Sequence, residues 1–480
     1  DNVSNIERLE LVNLVTNIIT VDTLVAAGAT LVVDGSQLIE VEPLSFEGTA
    51  ESDGNFDITG GSGDDVIVGG SGDDTIRGGP GDDSIVMRTR LTDADIIDGG
   101  LGIDVLSLSG GGPDSLDNVT GIESLVLNPA DYELRPNDSF VGQSDVFEID
   151  ASALTSTDDL LFNARAETDG AYDFTAGSGD DIVVGGDGND IFRFGVNLTS
   201  ADTVFGGPGV DELHISGAES DDLDEVSSIE KLVLADETTT ITTVNNIVDS
   251  NATLVVDGSA LTLGQVLTFD GSAERLGNFD ITAGDDDDII SGGMGDDVIA
   301  AGDGDDTIIM GENLTEDDEI DGGDDEDTLM ATNLGASDLD GVTDIEILVL
   351  EGTGSTIVTV DTLLSSGSEL TVDTSMLDDG ATLSFDGSAE TNASFVLNGT
   401  DGVDELIGGR RGDTIVAGGG GDTVQGGRGI DTVTLGAGLD RYVIGPGELV
   451  EGARFTINDY ANGVDAVRIE ASMSNGGDGD

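Results

Sequence analysis

Acidic residues and glycines recur together every nine residues, and oxygen-based metal binding is the first chemistry that this spacing offers. One clear copy reads Gly-Gly-Ser-Gly-Asp-Asp-Val-Ile-Val over Gly60–Val68, and the shared pattern is G-G-x-G-x-D-x-U-x, where U is a large aliphatic residue. Glycines at the first, second and fourth positions allow positive φ, so six residues can turn tightly with their carbonyl groups pointing inward. Carbonyl and carboxylate oxygens are hard ligands, which suit Ca²⁺, with its roughly 6–8 oxygens, better than Mg²⁺.

The sixth position of each copy holds the acidic side chain that we predict to bind calcium, and several ions per chain are expected. Sixteen nonapeptides fit the pattern, some of them imperfectly. Asp286, Asp325 and Arg411 each replace a fourth-position glycine. Thr400 replaces a second-position glycine, and these four turns are weaker candidates for ion binding. The predicted metal ligands are Asp65, Asp74, Asp83, Asp104, Asp181, Asp190, Asp211, Asp288, Asp297, Asp306, Asp327, Asp404, Asp413, Asp422, Asp431 and Asp440.

The fifth position is often acidic as well, and we predict that its side chain faces solvent instead of binding an ion. A pair of adjacent carboxylates could also indicate general acid–base catalysis. Because the pair recurs in separate blocks along the chain, while an active site is normally one place, we expect no catalytic dyad and no enzyme activity. The fifth-position aspartates are Asp64, Asp73, Asp82, Asp180, Asp287, Asp296 and Asp305.

The aliphatic residue at the eighth position indicates which secondary structure accompanies each turn. An aliphatic residue between outward-pointing neighbours makes a very short strand with one buried side chain. Stacked turns would bring carbonyl groups and carboxylates together between rungs about 4.8 Å apart. Without a cation, like charges this close disfavour the stack. We therefore predict an all-β fold, a calcium-bound parallel β-roll or β-solenoid, in which calcium binding drives folding.

A longer repeat encloses the nonapeptides. The segment Asp1–Glu7 returns as Asp117–Glu123, Asp224–Glu230 and Asp340–Glu346, with offsets of 116, 107 and 116 residues. The second unit is thus short by nine residues, which is one nonapeptide, and a stack of rungs tolerates such a change better than a globular core does. The four predicted units are 1–116 with a nonapeptide block at 60–107, 117–223 with a block at 176–214, 224–339 with a block at 283–330, and 340–480 with a block at 399–443 and a C-terminal tail.

Each unit also contains short β-type runs outside its nonapeptide block. The first run ends at an acidic corner, which is Asp34, Asp150, Asp257 or Asp373 in the four units. Such a corner is typical of a strand that ends in a turn. Whether these segments continue the same roll or form a wider solenoid beside it is left open by the sequence.

Composition excludes several classes of function. The chain has 480 residues, 100 Asp and Glu, 15 Lys and Arg, and a formal net charge of −85. This charge argues against binding nucleic acid or an anionic membrane surface, which need clustered basic residues. Because the chain has no cysteine, disulfide bonds and thiolate metal sites are excluded. The single histidine, His214, is expected to be a surface or turn residue, and it leaves no material for a catalytic triad.

We expect no transmembrane segment. Residues 11–33 are apolar, but Asp22 and Gly28 interrupt them, and the aligned segment of unit three carries several Asn and Asp residues. No signal peptide is visible, and residue 1 is not Met but opens a repeat unit. We therefore expect a fragment or a processed product of a longer chain.

The nonapeptides resemble the RTX, or haemolysin-type calcium-binding, repeat family, as found in bacterial S-layer and adhesin-type surface proteins. The tail segment Phe455–Asp465 is similar to the segment that often follows RTX blocks. The resemblance implies type I secretion of the unfolded chain and folding outside the cell. It also implies that repeats i and i+2 stack on one side of the roll and share ions, which pairs Asp65 with Asp83, Asp288 with Asp306, Asp404 with Asp422, and Asp413 with Asp431.

Three hypotheses for function follow. The first is an extracellular structural β-solenoid on the bacterial cell surface, part of an S-layer lattice, a sheath or filament, or an adhesin, with a homo-oligomer as the expected assembly. The alternative is the secretion and folding module of an RTX enzyme or toxin whose catalytic domain lies outside this chain. The third is binding of cell-surface glycans or ice through a repetitive face, hinted at by Thr239 and Thr240.

Overall fold

The computed structural model describes residues 6–12, 16–88, 91–138, 140–142, 145–244, 247–248, 252–446, 448, 454–461 and 464–470. Every regular element in these ranges is a β-strand. None of the described residues belongs to a helix with the length and apolar character that crossing a membrane requires. The chain divides into two compact halves, Asp1–Val233 and Leu234–Asp480, called here the N-terminal and the C-terminal half.

The described residues of the N-terminal half form 23 short strands. They are β1 (Arg8–Glu10), β2 (Thr16–Ile19), β3 (Thr30–Asp34), β4 (Leu44–Glu47), β5 (Asn55–Thr59), β6 (Val66–Val68), β7 (Thr75–Pro80), β8 (Ser84–Met87), β9 (Ile96–Leu101), β10 (Val105–Leu108), β11 (Gly112–Asp114), β12 (Val119–Thr120), β13 (Ser124–Leu127), β14 (Tyr132–Leu134), β15 (Val146–Asp150), β16 (Leu160–Asn163), β17 (Ala171–Thr175), β18 (Ile182–Val184), β19 (Ile191–Gly195), β20 (Thr203–Phe205), β21 (Glu212–Ile215), β22 (Val226–Ser227) and β23 (Lys231–Leu234).

In the C-terminal half, the part of the chain that the structure describes forms 21 further strands, two of them long. They are β24 (Thr239–Thr242), β25 (Thr253–Asp257), β26 (Leu267–Asp270), β27 (Asn278–Thr282), β28 (Ile289–Ser291), β29 (Val298–Asp303), β30 (Thr307–Gly311), β31 (Glu319–Asp324), β32 (Thr328–Thr332), β33 (Val342–Thr343), β34 (Ile347–Val358), β35 (Glu369–Asp386), β36 (Ser394–Thr400), β37 (Glu405–Ile407), β38 (Thr414–Gly420), β39 (Thr423–Gln425), β40 (Ile430–Thr434), β41 (Ala437–Gly438), β42 (Arg441–Ile444), β43 (Arg454–Ile457) and β44 (Ala466–Ile469).

Strands alternate between two faces along most of the chain, with β11 and β12 as an exception, and the pairing within each face is parallel. In the N-terminal half one face runs β2-β4-β6-β8-β10-β13-β15-β17-β19-β21-β23, and the other runs β1-β3-β5-β7-β9-β12 and then β11-β14-β16-β18-β20-β22. In the C-terminal half the faces run β25-β27-β29-β31-β33 and β24-β26-β28-β30-β32-β34-β35, after which β36 and β37 both pair with β35. Two successive strands therefore make one coil, and each half is a parallel β-solenoid, as predicted.

Alternation along each strand fills the space between the two faces. In β3, Leu31 and Val33 are fully buried while their neighbours are not. Aromatic side chains stack at the same place in all four units, as in the edge-to-face pair Phe46–Phe56, whose ring centroids are 5.0 Å apart. The equivalent pairs are Phe162–Tyr172, Phe269–Phe279 and Phe385–Phe395, each at 5.1 Å. Such pairs contribute about 0.5–1.5 kcal/mol beyond the area that they bury.

The segments between the nonapeptide blocks continue the same roll. Val33 of β3 pairs with Ile58 of β5, and Ile58 pairs with Ile76 of β7, which is a nonapeptide strand. The predicted acidic corners end β3, β15 and β25, whereas β35 continues through the fourth corner. At the first corner, Asp34 Oδ1 accepts the hydroxyl of Ser36 at 2.6 Å, which lowers the pKa of Asp34. Hydrogen-bond donors of the protein itself therefore satisfy the carboxylates at these corners.

Counting half-coils explains the nine residues that unit two lacks. The strand after each Ile-Glu pair is β1 in unit one, β13 in unit two and β23 in unit three. β1 lies on one face of the roll, whereas β13 and β23 share the opposite face. A full unit of 116 residues therefore moves the start of the next unit to the opposite face. Unit two lacks one nonapeptide, which is half a coil, so unit three begins on the same face as unit two. The roll tolerates this deletion because each of its two faces ends in an edge of a parallel sheet, on which the next unit can stack.

Candidate metal-binding turns

The sixteen sixth-position aspartates are all buried. None is more than 3% exposed, although carboxylates rarely enter a protein interior without partners. The seven fifth-position aspartates are all exposed, which confirms that part of the prediction. Adjacent carboxylates such as Asp64 and Asp65 thus face opposite sides of the turn, since successive residues of an extended chain alternate in direction.

The buried aspartates form ladders along the roll, in which one carboxylate oxygen accepts a backbone N–H from the neighbouring rung. The N–H of Asp65 donates to Oδ1 of Asp83 at 2.7 Å, and the N–H of Asp83 donates to Oδ1 of Asp104 at 2.7 Å. The other three pairs that the family resemblance implies show the same bond: Asp288 to Asp306 at 2.7 Å, Asp404 to Asp422 at 2.9 Å, and Asp413 to Asp431 at 3.1 Å. The stacking of repeats i and i+2 is therefore present, while the sharing of ions stays a prediction.

The second oxygen, Oδ2, divides fifteen of the sixteen turns into two classes, and the turn of Asp431 belongs to neither. In a closed turn it accepts the N–H of the second-position residue of its own repeat, as Asp65 does from Gly61 at 2.6 Å. The closed turns belong to Asp65, Asp74, Asp190, Asp288, Asp297, Asp404 and Asp413. In an open turn Oδ2 is buried without a hydrogen-bond partner among the described residues. These eight open oxygens belong to Asp83, Asp104, Asp181, Asp211, Asp306, Asp327, Asp422 and Asp440.

Backbone conformation agrees with this division in every open turn except that of Asp181, where Gly177 is not left-handed. The second-position glycine is left-handed in seven of the eight open turns, as at Gly79 with φ of 116° and Gly100 with φ of 118°. This conformation turns the peptide N–H away from the carboxylate. In the turn of Asp431 the glycine, Gly427, is also left-handed, with φ of 81°. Positive φ is a conformation that glycine adopts readily and residues with a Cβ rarely do.

The four departures from the repeat pattern follow this division. The non-glycine residues with positive φ in the described chain are Ser228, Asp325, Asn333 and Asp344. Thr400, Asp286 and Arg411 are not among them, and all three lie in closed turns, where a side chain costs no left-handed strain. Asp325 lies in the open turn of Asp327 and has φ of 87°. Three of the four departures therefore occur where the turn does not need glycine.

Oxygens of adjacent rungs converge on the first-position glycines. A Cβ added to Gly60 would overlap both Oδ2 of Asp65 and the carbonyl oxygen of Gly78 on the next rung. At Gly78 it would overlap Oδ2 of Asp83 and lie 2.5 Å from the carbonyl oxygen of Gly99. Within the described ranges no three His, Cys, Asp or Glu side chains are grouped to hold a metal. The oxygens that converge here are a mixed set of carboxylates and backbone carbonyls, and such a set fits Ca²⁺.

Electrostatics of the ladder favour neutralisation of the carboxylates. Burial raises the pKa of Asp83 to about 7, and the nearby carboxylates of Asp65 and Asp104 add to the shift. Burial likewise raises the pKa of Asp306 and of Asp327 to about 7. A free, charged carboxylate is thus disfavoured at these positions, and a proton or a cation would relieve the cost.

Several buried acids of the ladders lie outside the nonapeptides and were missed by sequence reasoning. Glu51 is fully buried, and its Oε1 and Oε2 accept the N–H groups of Gly54 and Val25, each at 3.2 Å. Its equivalents Glu167, Glu274 and Glu390 are also fully buried. The signal that would have found them is their spacing, which repeats the offsets of the tandem units. A second missed set, Asp95, Asp202 and Asp318, is buried and caps loops between nonapeptides.

These features define a class of protein, a parallel β-solenoid whose short strands are joined by glycine-rich acidic turns with oxygens converging between rungs. The family model described as RTX calcium-binding nonapeptide repeat (4 copies) matches residues 57–86, 173–196, 280–308, 314–333 and 398–442. The chain thus carries RTX calcium-binding nonapeptide repeats, and the resemblance of its nonapeptides to that repeat is confirmed. No curated protein matches the chain.

Proposed function

We propose that this chain is an extracellular structural protein, a calcium-stabilised β-solenoid that forms part of a self-assembling bacterial surface layer, sheath or filament, or adhesin. The observation that carries its calcium dependence is the set of eight open oxygens, which are buried carboxylate atoms without a hydrogen-bond partner in the described chain. Calcium would be held by the sixteen sixth-position aspartates together with turn carbonyl groups, and it would supply positive charge between rungs.

Calcium binding would act as a folding switch. A ligand that binds only the folded state stabilises it by RT ln(1 + [L]/Kd), about 2.7 kcal/mol per site at a hundredfold excess over Kd. Sixteen divalent ions would neutralise 32 of the 85 net negative charges. Since several sites lie along one stack, their contributions add within each block. This supports secretion of an unfolded chain by the type I route, followed by folding in calcium-rich surroundings outside the cell.

The repeat architecture supports a structural role over a catalytic one. The four tandem units, 1–116, 117–223, 224–339 and 340–480, would be the building blocks, since each carries the same aromatic pair and the same ladders. Parallel sheets with unpaired edges at the ends of a solenoid favour end-to-end addition. Calcium bridges between acidic faces would give a second route to a homo-oligomer.

Circular dichroism with and without EGTA tests the switch. Chelation should shift the folding equilibrium and so reduce the β-signal of the nonapeptide blocks, and its return on adding calcium should be cooperative. A spectrum that does not change after full chelation contradicts the proposal. Electron microscopy of the full-length protein then tests the structural role. Calcium-dependent sheets or fibres support it, whereas a compact monomer with hydrolase activity supports a secretion and folding module of an enzyme.

A further inference from the structure

Three of the four nonapeptide blocks end against a rung that contains no nonapeptide. There the N–H of the last aspartate donates to a glutamate of the next tandem unit. Asp104 donates to Oε2 of Glu123 at 2.8 Å, Asp211 donates to Oε2 of Glu230 at 2.8 Å, and Asp327 donates to Oε2 of Glu346 at 3.2 Å. Each glutamate is the second residue of the Ile-Glu pair that marks the start of a unit.

The last aspartate keeps an open oxygen at each junction. Asp104, Asp211 and Asp327 are fully buried, and their Oδ2 atoms have no hydrogen-bond partner in the part of the chain that the structure describes. A buried carboxylate oxygen left in this state costs free energy unless a ligand reaches it.

A backbone carbonyl points to the same place. At the first junction, a Cβ added to Gly99 would overlap the carbonyl oxygen of Gly121 and lie 2.7 Å from Oδ2 of Asp104. At the second, a Cβ on Gly206 would overlap the carbonyl oxygen of Ser228 and lie 2.5 Å from Oδ2 of Asp211.

The third junction repeats this convergence. A Cβ on Gly322 would overlap the carbonyl oxygen of Asp344 and lie 2.7 Å from Oδ2 of Asp327. Each junction therefore brings an open carboxylate oxygen and a carbonyl oxygen together beside the glutamate.

The residue that presents this carbonyl is left-handed at all three junctions. Its φ is 58° at Gly121, 53° at Ser228 and 49° at Asp344. Two of these residues carry a Cβ, which makes the conformation uncommon and costly. Strain that persists in equivalent copies with different side chains indicates that the position of the carbonyl is what matters.

The opposite edge of the roll shows how a ladder ends when no cation is needed. Asp95 accepts the N–H of Asp74 through Oδ1 at 2.8 Å. Its Oδ2 accepts both the N–H and the hydroxyl of Thr92, at 2.8 and 3.0 Å. Protein donors thus close that end, whereas the junction aspartates remain open.

We propose that each junction is a further cation site, of the calcium class, built from Oδ2 of the last aspartate, the carboxylate of the Ile-Glu glutamate and the left-handed carbonyl. Its glutamates lie outside the segments that match the RTX family model. This inference rests on the proposed function, because it extends calcium binding from the nonapeptides across the boundary between tandem units. Such a site would couple the folding of each block to that of the unit that follows.

Counting bound ions tests the proposal. Calcium per chain is measured by equilibrium dialysis on the full chain and on a triple variant, Glu123→Gln, Glu230→Gln and Glu346→Gln. Glutamine keeps the acceptor for the aspartate N–H and removes the charge, so the variant should bind three fewer ions than the unmodified chain. The matched control, Glu225→Gln, Glu237→Gln and Glu312→Gln, changes three exposed glutamates and should keep the full count.

The outcomes separate this inference from the proposed function. An unmodified chain that binds no calcium overturns both. An unmodified chain that loads calcium, with an unchanged count in the triple variant, overturns the junction sites alone. If circular dichroism shows that the triple variant does not fold in calcium, the single variant Glu230→Gln decides: loss of one ion supports the inference, and an unchanged count overturns it.

Discussion

Replacing Asp83 by Asn should change stability in opposite directions with and without calcium. Asp83 lies in the middle of a ladder between Asp65 and Asp104, its Oδ1 accepts the Asp65 N–H, and its Oδ2 is open. Asparagine keeps the Oδ1 acceptor and nearly the same shape, so the variant removes one charge and one anionic ligand. The backbone of the turn has no reason to change.

The two magnitudes follow from that position. In calcium, the loss of one site at a hundredfold excess over Kd lowers the free energy of unfolding by about 2.7 kcal/mol. If Asp83 serves the sites on both sides of its rung, the loss reaches about twice that value. In EGTA, removal of a buried unpaired carboxylate between two others should raise the free energy of unfolding by about 1–3 kcal/mol.

Urea unfolding followed by circular dichroism, in calcium and in EGTA, measures both effects. Asp82→Asn is the matched control, because it makes the same charge change one residue away on the exposed side, where Oδ1 of Asp82 accepts the N–H of Ile103 at 2.9 Å. The control should shift stability by less than about 0.5 kcal/mol in either buffer. Equal destabilisation by Asp83→Asn in both buffers, or equal effects of the two variants, would refute the reasoning.

Three further predictions concern the turns. In EGTA, urea unfolding should show that the chain becomes more stable as pH falls from about 8 to about 5. Burial raises the pKa of folded Asp83 to about 7, so the proton that stabilises the folded state is lost as pH rises through that value. No gain in stability on acidification would contradict this. Ser228→Gly should stabilise the chain by up to about 1 kcal/mol in thermal unfolding, because it relieves the left-handed strain at that position. Gly121→Ser should destabilise the chain, because the Cβ added at position 121 would lie 2.8 Å from the backbone nitrogen of Gly100. Thr400→Ala should cost about 1–2 kcal/mol, because the lost hydroxyl donates to the Ala381 carbonyl oxygen and accepts the Gly402 N–H. Gly418→Ala should cost more, because φ is 96° there and its Cβ would overlap the Thr400 carbonyl oxygen. Similar costs for the two variants would argue against the two classes of turn.

The nine-residue period was enough to predict the parallel solenoid and the acidic side chains of its turns, but not the buried acids outside the nonapeptides. A period of nine residues places the sixth-position aspartate inside in every turn, and the fifth-position aspartate outside in the seven turns that have one, as Asp65 and Asp64 show. The reason is local, since a tight glycine turn followed by a three-residue strand leaves each side chain one direction to face. The tandem offsets likewise indicated where unit boundaries would recur, but they attached no role to the glutamate of each Ile-Glu pair.

Only the tertiary structure decided which turns are open and which are closed. The hexapeptides at 60–65 and 78–83 differ only at their third residue, yet Gly61 donates its N–H to Asp65 while Gly79 is left-handed and leaves Asp83 open. Glycine has several backbone conformations of similar energy, so the neighbouring rung selects among them. The carbonyl of Gly61 lies against Gly79 from the rung before it, a contact between residues 18 positions apart that no local pattern encodes. The same holds for the junction glutamates, because their approach to the last aspartate depends on how many half-coils separate the two.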